Sequence, residues 1–209
     1  MTEQSKGDER AQHAELSSLI RDSGSSPAAI AKLLDSLPGE LRGRVVRLLG
    51  RSDQRALYEK ASGYAALTLA DLVPASCADL EEVRFLGRNT LPAFRIFEKR
   101  FCRMPGADAA HPDRLAGYNF QTMSAVTGPG YYVAVEDREK AEVLVDYHLL
   151  PEATPADWPA VKSNESGLGR FVYGFMVDRL RRVSDHVLIG SAARNGQDLG
   201  SYFVLSRFN

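Results

Sequence analysis

Cysteine is nearly absent: Cys77 and Cys102 are the only two in 209 residues. That excludes a disulfide framework of the kind that holds small secreted scaffolds together. No apolar run approaches the roughly 18 residues of a membrane-spanning helix. Met1–Arg10 is polar and charged, without the apolar stretch of a secretory signal. Charge of one sign is also missing, with 26 Lys and Arg against 27 Asp and Glu and a net charge of −1. A surface that tracks nucleic-acid phosphates is therefore not expected, and only a local basic patch fits that balance. Several signatures are absent as well. Gly167-Leu-Gly169 lacks the third glycine of a dinucleotide fingerprint, and there is no Walker A loop, Gly-x-Ser-x-Gly elbow, His-Glu-x-x-His or paired Cys-x-x-Cys. These absences lead us to expect no cofactor, no metal, no nucleic-acid or membrane partner, and a reducing cytoplasm. They are silent on oligomeric state.

What is present suits a globular protein with a true core, since 44% of residues are hydrophobic and 25% charged. Residues 1–25 are polar enough to read as a mobile tail, with Leu16, Leu19 and Ile20 as a weak amphipathic exception. Ser26-Pro27 is a helix start, a cap followed by a proline suited to the first turn. Ile30, Leu33, Leu34 and Leu37 follow on one stripe, up to Pro38-Gly39. A second helix carries Leu41, Val45, Leu48 and Leu49 inward and Arg42, Arg44 and Arg47 outward, and Ser52 opens a third. Thr68 or Asp71 caps a short turn, and 79–86 is undecided between helix and irregular chain. Asn89-Thr90-Leu91-Pro92 reads as another helix entry, because Phe94, Phe97 and Phe101 recur at helical spacing.

After the Pro- and Gly-containing loop 104–114 the period shifts to two. Strands are expected at Tyr118–Val126, Tyr131–Glu136 and Glu142–Leu150. The proline-rich 151–166 should cross the surface or a sheet edge. Phe171, Phe175, Met176, Leu180 and Val183 then fit a helix, and a C-terminal hairpin turns at Asn195-Gly196. A two-residue turn there sets Ile189 opposite Tyr202, Leu188 opposite Phe203 and His186 opposite Leu205. Both hairpin faces are then largely apolar, which calls for cover on both sides or for curling around a cavity. The expected fold is α+β. A helical part spans 26–105, and 106–209 forms an antiparallel sheet of about five strands (meander, helix, hairpin), continuous with it as one domain.

Chemistry-bearing candidates are few. Asp146 and His148 stand two apart in an expected strand and share a face. A carboxylate there orients an imidazole and favours its charged form, as in a general base; the plainer reading is a solvated edge. No third ligand stands at metal spacing. Cys102 has cationic neighbours that favour a thiolate, with His111 the nearest imidazole in sequence, although core or edge packing is far more often the reason for a cysteine there. Arg170, Arg179, Arg181 and Arg182 would join Arg95, Lys99, Arg100 and Arg103 in a basic region if their two helices lay side by side. Arg179 and Arg182 are then anion-binding candidates, against a solvated helix face. Tyr118, Tyr147, Tyr173, Tyr202 and Phe203 are candidates to line a pocket for a flat ligand, or else are core. The expected function is non-catalytic binding of a small apolar or aromatic ligand or of a protein partner. A hydrolase- or isomerase-like enzyme using Asp146 and His148, and a structural assembly protein docking through its helices, are the alternatives.

Overall fold

The computed structural model describes residues 3–92, 95–121, 128–164 and 175–208. Four helices come first: α1 (Glu3–Arg21), α2 (Pro27–Ser36), α3 (Gly39–Val46) and α4 (Arg51–Lys60). A single turn, α5 (Leu69–Leu72), leads into eight strands. These are β1 (Val83–Asn89), β2 (Ile96–Arg103), β3 (Leu115–Phe120), β4 (Tyr131–Asp137), β5 (Glu142–Asp146), β6 (Met176–Arg182), β7 (Val187–Arg194) and β8 (Gln197–Arg207). Each strand pairs antiparallel with the next, and β8 returns to β1 from Phe85↔Arg207 to Asn89↔Phe203. The sheet is a closed barrel, so it has no free edge.

This overturns the α+β layout of a helical part to residue 105 followed by about five strands. The stretches read as helices around Phe97 and Leu180 are β2 and β6, and β1 occupies much of the undecided 79–86. Phe97 and Phe101 are four apart, which puts two residues on one side of a helix and equally on one face of a strand. Both pack in the barrel interior, as do Met176 and Leu180. Phe94 and Phe171 lie outside the described residues.

The helices form a layer on one outer wall. The helical layer also includes residues before Ser26: Leu16 and Ile20 of α1 are 0% and 1% exposed, buried with Ile30, Leu34, Val45, Leu49 and Leu57. Val183, Val187, Ile189 and Val204 of the barrel's outer face complete that cluster. Ser26 caps α2 as read, its Oγ accepting from the Ala29 N–H at 3.2 Å. Gly50, not Ser52, precedes α4. Arg42, expected in solvent, is buried and donates to the Leu37 carbonyl at 3.1 Å.

Positive φ at Asn195 (51°) and Gly196 (77°) makes the hairpin turn as its residues require. The expected register holds for Arg194↔Gln197 and Ala193↔Asp198 only. Leu199 and Gly200 (φ 60°) are then extra on β8, and Ala192 pairs with Ser201. Ile189 therefore faces Val204, and Leu188 faces Leu205. A slip of two residues leaves every side chain on its expected face, so the double-sided apolar hairpin persists: one face lines the barrel and the other carries the helices.

Leu67, Leu69, Leu72 and Val73 belong to the same buried cluster as the barrel interior, so α5 closes the end where β1 begins. A capping box between Thr68 and Asp71 shapes this turn. Three arginines at the ends of their strands hold the segment in place. Arg103 donates to Asp79 Oδ1 at 2.9 Å and to the Cys77 carbonyl, Arg182 to Asp71 Oδ1 at 3.1 Å, and Arg207 to the Asp71 carbonyl. The proline-rich segment crosses the opposite outer wall. It buries Trp158 against Tyr118 and Tyr131, with ring centroids 4.7 Å and 6.3 Å away. Among the described residues no helix is long and apolar enough to cross a membrane.

Two substitutions test this architecture. Gly190 lies under the Phe203 ring, where an added Cβ would come within 2.2 Å of a ring carbon. Gly190→Ala is expected to lose about 1–3 kcal/mol in urea titration by overpacking. Leu16→Ala is expected to lose about 2–5 kcal/mol, because it opens a hole beneath a fully buried side chain. An unchanged midpoint for Leu16→Ala would return residues 1–25 to the reading of a mobile tail.

Candidate functional site

Inside a closed barrel an inward charge has lost its water and needs partners. Lys99 lies in β2 between Phe97 and Phe101 and is 1% exposed. Its Nζ lies 2.9 Å from Asp178 Oδ2 on β6, and it donates to the Tyr147 hydroxyl just past β5 at 2.6 Å and to Asn119 Oδ1 on β3 at 3.2 Å. The network continues without the lysine. Asn119 Nδ2 donates to the Tyr147 hydroxyl at 2.7 Å, and that hydroxyl donates to Asp178 Oδ2 at 3.1 Å. β2 and β6 are four strands apart in a ring of eight, so the lysine stem reaches across the lumen.

Aromatic rings surround the ammonium. Nζ lies 4.8 Å from the Tyr132 centroid, 5.0 Å from Tyr147 and 5.2 Å from Phe203, within cation–π range. A ladder of rings, Phe85–Phe101–Tyr132–Tyr147, runs through the interior with centroid spacings of 5.7, 5.4 and 5.4 Å. Burial lowers the Lys99 pKa from the ordinary lysine value, while Asp178 acts in the opposite sense. Burial also holds the Tyr132 phenol well above its usual value, so it stays neutral. The carboxylate is only half used: Asp178 Oδ1 is buried and has no hydrogen-bond partner among the described residues.

Of the residues singled out in the sequence, Tyr147 and Phe203 belong to this cluster. Tyr118 faces outward beneath Trp158, and Tyr202 packs outside against Tyr58 at 5.4 Å. Tyr173 lies outside the described residues. Asp146 and His148 do meet, with His148 Nδ1 2.7 Å from Asp146 Oδ1, at the end of β5. The same oxygen accepts the His148 backbone N–H at 2.8 Å, which is the local bonding of an Asx turn, and both side chains are partly exposed. Arg179 pairs with Asp137 at 3.1 Å and Glu142 at 3.5 Å, and Arg182 with Asp71 and Asp185. The side-by-side helices that would have gathered the basic residues are strands β2 and β6. Burial pushes the Cys102 thiol up to about 12, the reverse of an activated thiolate. Among the described residues no three His, Cys, Asp or Glu side chains gather as metal ligands.

Against family models, curated proteins and solved structures, the chain finds no match. Sequence reading placed Lys99 only among the cations of a basic helix face, and it missed Asn119 and Asp178. The available signal was a charge at an apolar beat of a two-residue alternation: Phe97-x-Lys99-x-Phe101 and Met176-x-Asp178-x-Leu180.

A double-mutant cycle measures what this network does for the fold. Lys99→Met leaves a buried, uncompensated carboxylate and is expected to cost about 3–5 kcal/mol. Adding Asp178→Leu is expected to recover most of that loss, since an apolar pair of similar volume often matches a buried ion pair. The four proteins are compared by urea titration. Equal losses that simply add would show that the two charges are not coupled.

Proposed function

We propose that this protein is a non-catalytic binder of a small, largely apolar or aromatic molecule, held within the barrel beside the Lys99–Asp178 cluster. Barrels of eight strands are just wide enough to be filled by side chains or to hold one small ligand. The observation that carries the reading is a buried ion pair in an aromatic interior with one carboxylate oxygen left without a partner among the described residues. Such an ion pair is poor evidence for stability, because desolvating both charges offsets much of their attraction. A few polar groups set among aromatic walls is the composition of a small-molecule site. Free Cys77 and Cys102 are compatible with a reducing cytoplasm.

The Asp146–His148 contact supports a second, enzymatic reading, with a carboxylate-oriented imidazole as base. It is the weaker of the two, because the pair sits in a local turn and, among the described residues, gathers no other polar group that would hold a substrate.

Native mass spectrometry of the protein purified from its own host tests the binding reading. One retained small molecule is expected, lost from Ala192→Leu, which enlarges the residue paired with Asp178 across β6 and β7. A bare mass, together with interior tyrosine NMR signals unmoved by a host metabolite extract, would sink the proposal.

A further inference from the structure

The hydrogen-bond arithmetic of the cluster constrains what it binds. An ammonium has three protons, and Lys99 Nζ has three oxygen neighbours, on Asp178, Tyr147 and Asn119. No lysine proton is left to meet a ligand. Asn119 is engaged on both sides of its amide, its Oδ1 accepting from Lys99 and one of its two Nδ2 protons going to Tyr147. The Tyr147 hydroxyl gives its one proton to Asp178 Oδ2. The one polar atom of the cluster with no partner at all among the described residues is an acceptor, Asp178 Oδ1, on a side chain 4% exposed. Its neighbours across the barrel wall cannot supply a donor from their side chains: Asp178 pairs with Val145 on β5 and Ala192 on β7. Along its own strand the inward neighbours are Met176 and Leu180.

We infer that the molecule bound in the barrel presents a hydrogen-bond donor, a hydroxyl or an N–H, to Asp178 Oδ1, and that carboxylate-headed molecules are refused. This rests on the reading of the interior as a binding site. The cation does not invite an anion here, because its positive charge is already matched by the carboxylate beside it. A ligand oxyanion would face Asp178 Oδ1 with no proton between them, in surroundings too apolar to screen the repulsion. An ether or ketone would leave the oxygen as unbonded as before. A hydroxyl or N–H on a flat ring would complete the network and lay its body against the aromatic walls.

Three naphthalene probes separate these cases: 2-naphthol, 2-methoxynaphthalene and 2-naphthoate, titrated by calorimetry and followed by NMR at the interior tyrosines. Naphthol is expected to bind about tenfold or more tightly than the methoxy compound, the ratio left by losing a hydrogen bond to a charged acceptor. Naphthoate is expected not to bind. Asp178→Asn should erase the preference for naphthol. Should that variant fail to fold, Ala192→Leu, which keeps both charges, should exclude all three probes. Equal binding of naphthol and its methyl ether, or preferred binding of naphthoate, overturns the donor rule while leaving interior binding in place. If no probe binds but the host protein retains a ligand, fragmentation of that ligand decides: a head group with no O–H or N–H overturns the inference. No probe and no retained ligand removes both this inference and the binding reading.

Discussion

A charge taken out of water must be met by other charges and dipoles, or the chain will not fold around it. Lys99 imposes that condition on the whole barrel. Its partners sit on or just past β3, β5 and β6, so the cluster is satisfied only when strands on opposite sides of the ring stand at the right height. A slip of one residue in β2 or β6 would turn the lysine or the aspartate out of the lumen and leave the other alone. The ion pair is therefore expected to act more on the choice of register than on total stability. The ring ladder adds a steric version of the same demand: Gly117 lies where an added Cβ would come within 2.2 Å of Tyr132, as Gly190 lies beneath Phe203.

The outside of the barrel is treated differently on each wall. Strands β7 and β8 carry the helical layer, and β3 and β4 carry the Trp158 segment. Each cover is pinned by polar contacts at its margin. Arg181 stacks over Tyr58 at 3.8 Å and donates to the Tyr58 carbonyl at 2.8 Å, tying β6 to α4. Trp158 donates to Glu82 at 2.7 Å, and Asn164 donates to the carbonyls of Tyr131 and Tyr147. Arginines that in sequence resembled an anion-binding surface are spent on such ties.

How much of this was legible depended on the chemistry of each segment. Turn residues and caps were readable, because Asn195-Gly196, Ser26-Pro27 and Thr68 dictate local backbone geometry whatever surrounds them. Strands β4 and β5 showed clean alternation and were placed near their true positions. Strands β2 and β6 were not, since apolar residues four apart satisfy both periods and arginines between them imitate a helix face. That error hid the site. Read as a helix, Lys99 is one more surface cation; read as a strand, it stands inward between two phenylalanines. The pairing of Lys99 with Asp178, 79 residues apart in the chain, belongs to barrel closure, and no local pattern contains it.

Closure through β1 and β8 also dictates an order of events when the chain is made. Strand β1 finds its second neighbour only in the last strand, with Asn89 waiting for Phe203. The helices wait as well, because the wall they cover is made of β7 and β8. An N-terminal quarter of amphipathic helices is thus synthesised first and given its permanent surface last. Long-range pairing of this kind folds slowly, and it leaves greasy helical faces open to other chains until the final hairpin arrives. During biosynthesis the hazard to this protein lies in those early helices, and the residues that end it are the C-terminal ones.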